Sequence, residues 1–208
     1  YFPEINSEQS SIAFYSVYAD KNCFLQVYDI RGGNVILKLT KKVDGLSIAY
    51  GLKDNEIITG ASSLGKGWVE FWDIATGSSV RESFITGGAQ ISSLIVNKTE
   101  KVLYGIDLTG LFKWDFSSHT LQMISKFGAF HPYVVELPSP DAEGNPITNT
   151  TLNFVQMVMS SDGKYIASKS AEEIIVWDIT TETAIEYLNV LNMDTNRCMS
   201  FVPNSSVL

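Results

Sequence analysis

Apolar and polar residues alternate along the chain in short runs, and turn-forming residues interrupt the runs about every ten positions. LSIAYG from Leu46, ISSLIVN from Ile91 and LNFVQMVMS from Leu152 each open a series. EIITGAS from Glu56, KVLYGIDL from Lys101 and KYIASKS from Lys164 follow as second runs. Each series then reaches a β-branched run ending in an aromatic residue and Asp, and closes on a more amphipathic run, VRESFI from Val80, LQMISKF from Leu121 or AIEYLNV from Ala184. Side chains change face at every residue of a strand, so this alternation sets one apolar row against a core. The pattern predicts short antiparallel strands and no helix. Turn chemistry agrees: Asp162-Gly163 falls between the first two strands of its series, and Ala75-Thr76-Gly77 follows an aromatic-Asp pair where the chain must reverse tightly.

The aromatic-Asp pair recurs four times, as Tyr28-Asp29 in FLQVYDI, Trp72-Asp73 in WVEFWDI, Trp114-Asp115 in LFKWDF and Trp177-Asp178 in EIIVWDI. From Asp to Asp the spacings are 44, 42 and 63 residues. The first two match the period of about 40 to 45 residues of a four-stranded propeller blade, and the third is one period with about 20 residues added. The surplus is HPYVVELPSPDAEGNPITNTT, between His131 and Thr151, where Pro132, Pro138, Pro140 and Pro146 forbid a regular strand or helix. A surface loop is expected there.

These endings, their period and the phrase SSDGKYIAS from Ser160 resemble the WD-repeat β-propeller family over nearly the whole chain. The resemblance implies an all-β propeller of four-stranded antiparallel blades, at about residues 1–42, 43–88, 89–130 and 152–208, with the insertion at 131–151. The first blade shows three runs (IAFYSVYA, CFLQVYDI and NVILKL), and CMSFV from Cys198 would close a ring of four blades by joining them. Propellers of this family have seven or eight blades, so these four are expected to belong to a larger propeller, completed by the rest of the chain or by a partner. A first residue of Tyr1 rather than Met fits a processed or excised chain. The Gly-His dipeptide that opens many family repeats is absent, and His119 and His131 do not fall where it belongs. That departure implies blades held mainly by apolar packing rather than by the family's buried Asp-His-Ser/Thr-Trp network.

Composition narrows the functional classes. The 208 residues are 45% hydrophobic and 18% charged, enough apolar surface for a continuous core. A net charge of −8 disfavours direct binding of nucleic acid, and no apolar run approaches the roughly 20 residues of a membrane span. Cys23 and Cys198 make no disulfide framework and read as buried thiols of a reducing compartment. The three Asn-x-Ser/Thr tripeptides, at Asn97, Asn149 and Asn204, are no more than this composition provides by chance.

Catalytic chemistry is hard to assemble from the remaining residues. Gly60 to Gly67 fits a phosphate-binding loop until Gly67 replaces the magnesium-binding hydroxyl, and WVEFWDI follows as a strand where a helix is needed. The two His and two Cys lie far apart, without metal-ligand spacing, and Glu172 and Glu173 would point to opposite faces of a strand. No catalytic residue, metal or cofactor is expected. Trp72, Trp114 and Trp177 read as packing anchors at one phase of the repeat, whereas Trp68 is available for a partner if it lies near a sheet edge. Glu136, Asp141 and Glu143 of the insertion and Lys41-Lys42 read by default as solvated loop charges, with a docking segment as the functional reading of the insertion and Ser139-Pro140 as a weak phosphorylation signal. The family resemblance therefore implies a non-catalytic scaffold that binds other protein subunits in an intracellular complex, nuclear or cytoplasmic. The rival readings are a propeller enzyme with a channel site and a phosphoinositide-binding propeller. The latter is poorly served by Ile30-Arg31-Gly32-Gly33, which has a single arginine.

Overall fold

A computed structural model describes residues 3–17, 23–41, 47–63, 66–81, 83–86, 91–107, 109–126, 156–169, 173–189 and 199–202. The fold is all-β: among the described residues, sixteen strands form four antiparallel sheets of four strands, and none is helical. The first sheet contains β1 (Glu4–Ile5), β2 (Ser11–Val17), β3 (Cys23–Asp29) and β4 (Asn34–Lys41). The second contains β5 (Ser47–Tyr50), β6 (Glu56–Ser63), β7 (Lys66–Asp73) and β8 (Phe84–Thr86). The third contains β9 (Ile91–Asn97), β10 (Val102–Asp107), β11 (Gly110–Asp115) and β12 (Thr120–Lys126). The fourth contains β13 (Gln156–Met159), β14 (Tyr165–Lys169), β15 (Glu173–Asp178) and β16 (Thr183–Asn189). Every sheet is a meander in which each strand pairs with its neighbour in sequence. Two compact units divide the chain: residues 1–125 hold the first three sheets, and residues 126–208 hold the fourth.

Register decides which side chains meet. In the second sheet Ile57 lies opposite Tyr50 and Trp72, so these three share one face, while Ile58 lies opposite Ala49 and Phe71 on the other. The first of these faces packs on Ala13, Tyr15, Leu25, Val27 and Leu37 of the first sheet. The second, with Val69, packs on Leu94, Leu103, Phe112 and Trp114 of the third. Within this unit the face bearing the repeated aromatic residue thus covers the opposite face of the sheet before it. Each large side chain so buried contributes roughly 1.5 to 3 kcal/mol.

Apolar packing is not the whole of it. The indole Nε1 of Trp72 donates to Thr59 Oγ1 (3.0 Å) and that of Trp177 to Ser168 Oγ (3.1 Å). In each case the hydroxyl belongs to the residue two positions beyond the one opposite the tryptophan, on the same face. The corresponding position in the third sheet is Gly105, where a Cβ would collide with the Phe112 ring, and Trp114 packs instead among Phe71, Phe84 and Phe116. In the first sheet it is Phe14.

Two strand expectations are corrected. The fourth strand of the first sheet is β1, which pairs with β2, and not CMSFV. Met199–Val202 form no strand. Gln156 exchanges hydrogen bonds with the Met199 backbone, and Phe201 is buried against Ala167, Ile174 and Val176. Two residues beside Pro3 are too few to show an alternation. The run from Val80 also starts late as a strand, at Phe84, because Arg81 turns inward: its Nη2 lies 2.5 Å from Glu56 Oε1, and its guanidinium carbon lies 5.0 Å from the ring centres of both Phe71 and Phe116.

The four aromatic-Asp runs all end in the same turn. The residue four beyond the Asp has a left-handed backbone: Gly33 (φ 66°), Gly77 (68°), His119 (57°) and Glu182 (57°). Only glycine adopts that region without a steric penalty. Gly77→Ala is expected to cost about 1 kcal/mol in urea unfolding, and Glu182→Gly to gain up to about 1 kcal/mol. Equal effects at both positions would show that turn strain does not govern these hairpins.

Candidate interaction surface

The repeated aspartates are occupied with the turns that follow them. Asp29 Oδ1 accepts from the Arg31 N–H (3.0 Å), and Asp73 Oδ1 from the Thr76 N–H (2.8 Å) and hydroxyl (2.9 Å). Asp115 Oδ1 accepts from the N–H groups of Ser117 (2.7 Å) and Ser118 (2.8 Å). Asp178 Oδ1 accepts from the Thr180 N–H (2.8 Å) and hydroxyl (2.6 Å). The bonds to Asp73, Asp115 and Asp178 favour the ionised form. The Thr76 N–H, the Ser118 N–H and the Thr180 hydroxyl are the leading causes that hold Asp73, Asp115 and Asp178 below the ordinary carboxylate range. A short polar side chain that bonds the backbone two or three residues on is what sets such a turn.

The turn after the first strand and the turn after the third lie at the same end of a sheet, as the bonds from Asn55 Nδ2 to Asp73 (3.0 Å) and from the Ile74 N–H to the Asn55 carbonyl (2.8 Å) show. At this end three consecutive sheets are tied together. Ser7, after β1, donates to Asp54, after β5, at 2.8 Å, and Lys98, after β9, contacts both Asp54 Oδ1 (2.5 Å) and Ser7 Oγ (3.2 Å). Burial opposes ionisation of Asp54, but the hydrogen bonds from Lys98 and Ser7 outweigh it and hold the carboxyl below its ordinary value. The cluster ties the turns after β1, β5 and β9 together. Partly exposed, it contributes at most about 1 kcal/mol.

Close enough to Asp54 to feel its charge is a polar group of the opposite character. Tyr50 Oη and Ser11 Oγ are 2.9 Å apart, and burial pushes the Tyr50 phenol up. Glu4 on β1 faces this group, and burial raises its carboxyl from the ordinary 4.5 to about 7. Sequence reasoning missed Ser7, Asp54, Lys98, Glu56 and Arg81. The one available signal was spacing, since Ser7 and Asp54 stand 47 residues apart and Asp54 and Lys98 stand 44 apart, close to the repeat.

Of the remaining candidates, Trp114 and Trp177 are buried, while Trp72 and Trp68 are half-buried on one face of the second sheet, Trp68 opposite Ala61 and Ile85. Glu136, Asp141, Glu143, Ser139, His131, Glu172, Lys42 and Cys198 lie outside the described residues. The phosphate-loop-like stretch spans β6 and β7, with Leu64 and Gly65 also outside. His119 packs its ring against Trp114, centre to centre at 5.5 Å. Asn97 is buried, and its Oδ1 accepts from the N–H groups of Thr99 and Glu100, so its amide is not presented for glycosylation. Among the described residues no group of three or more His, Cys, Asp or Glu is placed to hold a metal, and no helix is long and apolar enough to cross a membrane. No family model and no curated protein matches the chain.

Glu4 supplies a pH test. The unfolded chain loses this proton near pH 4.5 and the folded chain only near 7, so stability falls as the pH rises between those values, by about 3 kcal/mol at most. Glu4→Gln is expected to flatten that part of a stability curve measured from pH 4.5 to 8 and to stabilise the protein at pH 8. An unchanged slope would show that Glu4 is solvated.

Proposed function

We propose that the chain is a β-propeller segment of the WD-repeat kind and serves as a non-catalytic scaffold for other proteins in an intracellular complex, nuclear or cytoplasmic. The observation that carries this reading is the turn repeated at one end of all four sheets. Each aspartate fixes the backbone of its loop, and the left-handed residue four positions on completes the reversal. Loops held in this way by a rigid frame leave their outward side chains free for recognition. At that end of the first three sheets the exposed side chains include Ser117 of such a turn, and Glu8 and Lys53 of the turns after β1 and β5. The acidic balance of the chain fits protein partners better than a phosphate backbone.

An enzymatic reading finds less support, because the Ser7, Asp54 and Lys98 cluster is taken up in joining turns of three sheets. The phosphoinositide reading is weakened by Asp29, whose carboxylate accepts from the backbone N–H of Arg31, the one arginine of that motif.

The test is cross-linking of the intact chain to captured partners. Links are expected at the turn end. The combined substitutions Glu8→Lys, Lys53→Glu and Ser117→Glu are expected to weaken capture about tenfold, the equivalent of 1.4 kcal/mol, without lowering Tm. Full recovery of partners by that variant would contradict the proposed surface, and multiple turnover of a small substrate would contradict the non-catalytic role.

A further inference from the structure

The first sheet ends on one side in a strand of only two residues. Glu4 pairs with Ala13 and Ile5 with Ile12, and Pro3 before them has no N–H to extend the ladder. Ile5 is 55% exposed, so its side chain adds little burial. Glu4 is the member turned inward, on the face of Ala13, which packs with Ile48 and Tyr50 of β5. β1 therefore rests on a few backbone bonds and on one carboxyl group held between two sheets. Among the described residues no cation is paired with that carboxyl. On the shared face β2 also presents Tyr15 and Ser11, and Ser11 Oγ is engaged with Tyr50 Oη at 2.9 Å. The turn after β5 carries Asp54, whose charge acts on the Tyr50 phenol together with that of Glu4. Lys98, after β9, is bound to Asp54 and Ser7, and Lys53, beside Asp54, is exposed. An ionised Glu4 would thus be turned toward a phenol, a hydroxyl and a second carboxylate, which is unfavourable unless the group moves out to water.

We propose that β1 is a pH-controlled latch: it stays closed on β2 while Glu4 carries its proton, and it swings out about Asn6 when Glu4 ionises, uncovering the edge of β2. The pivot is fixed by the residues that follow. Asn6 is 4% exposed, and its Oδ1 accepts from the N–H groups of Ser10 (2.8 Å) and Ser11 (2.9 Å). Ser7 is held by Asp54 and Lys98, so opening is confined to the few residues ahead of Asn6. The sense of the switch follows from burial. In the closed strand the carboxyl keeps its proton up to about pH 7, whereas a released Glu4 loses it near 4.5. The closed state is therefore fully favoured below the lower value, weakens as the pH rises between the two, and changes no further above them. This inference is independent of the scaffold role.

One amide reports on the latch. The Asn6 N–H donates to the Ser11 carbonyl (3.1 Å), and antiparallel bonds join every second opposite pair, so Glu4 and Ala13 are the next bonded pair and the Ala13 N–H points at β1. The test is native-state hydrogen exchange of the intact chain at pH 5 and pH 7.5, with each rate corrected for the intrinsic effect of pH. Protection of Ala13 is expected to fall about tenfold or more between the two. At pH 7.5 it should lie well below that of Ile57 on β6, which is 0% exposed, and should not respond to low urea, because the opening of β1 bares little surface. Glu4→Gln is expected to keep Ala13 at its pH 5 protection at both pH values. Protection that does not fall, or that falls equally in Glu4→Gln, overturns the latch. So does an Ala13 amide that matches Ile57 in protection and in urea dependence, because β1 would then leave only when the whole fold does.

Discussion

Packing of an aromatic sheet face onto the aliphatic face of the preceding sheet is the interaction on which the first three sheets depend. A four-stranded meander has two apolar sides and cannot bury both alone. The second sheet solves this by lying between its neighbours, with Tyr50, Ile57 and Trp72 turned to one and Ala49, Ile58 and Phe71 to the other. The contacts are made in different ways. Trp72 anchors its indole on Thr59, whereas Trp114 gives up that bond for a stacked and edge-on cluster of rings. Gly105 makes the difference, since any larger residue there would displace Phe112.

Polar chemistry in the described residues is directed at holding this frame. The Asp carboxylates organise turns, Arg81 joins Glu56 to two phenyl rings of adjacent sheets, and Lys98 with Asp54 and Ser7 links three turns. Two opposing pH dependences result. The depressed carboxylates of Asp73, Asp115 and Asp178 stabilise the fold above their unfolded values, and that contribution is lost as the pH falls through their folded ones. Glu4, raised by burial, acts in the opposite sense and at higher pH.

Much of the fold was legible because period-two alternation and the repeated Tyr/Trp-Asp endings report directly on strands and on the turn after the third strand of each sheet. Glu4–Ile5 escaped because two residues carry no period, and CMSFV misled because an apolar run that packs on a sheet looks like a strand of it. The missing Gly-His dipeptide pointed to blades held mainly by apolar packing, and beside that packing Thr59 and Ser168 each receive an indole N–H. Those bonds depend on a diagonal cross-strand register that no local motif displays. The tie of Ser7, Asp54 and Lys98 was hidden for the same reason: its members come from three turns and meet only once the sheets are stacked.

The stacking itself is tested most directly by a double-mutant cycle between Phe71 on β7 and Trp114 on β11, whose ring centres lie 5.1 Å apart across the interface of the second and third sheets. Replacing each by Leu, singly and together, and measuring urea unfolding should give a coupling energy of about 0.5 to 1.5 kcal/mol. Strictly additive effects would mean that the two rings do not meet, and that the sheets are not held face to face in this way.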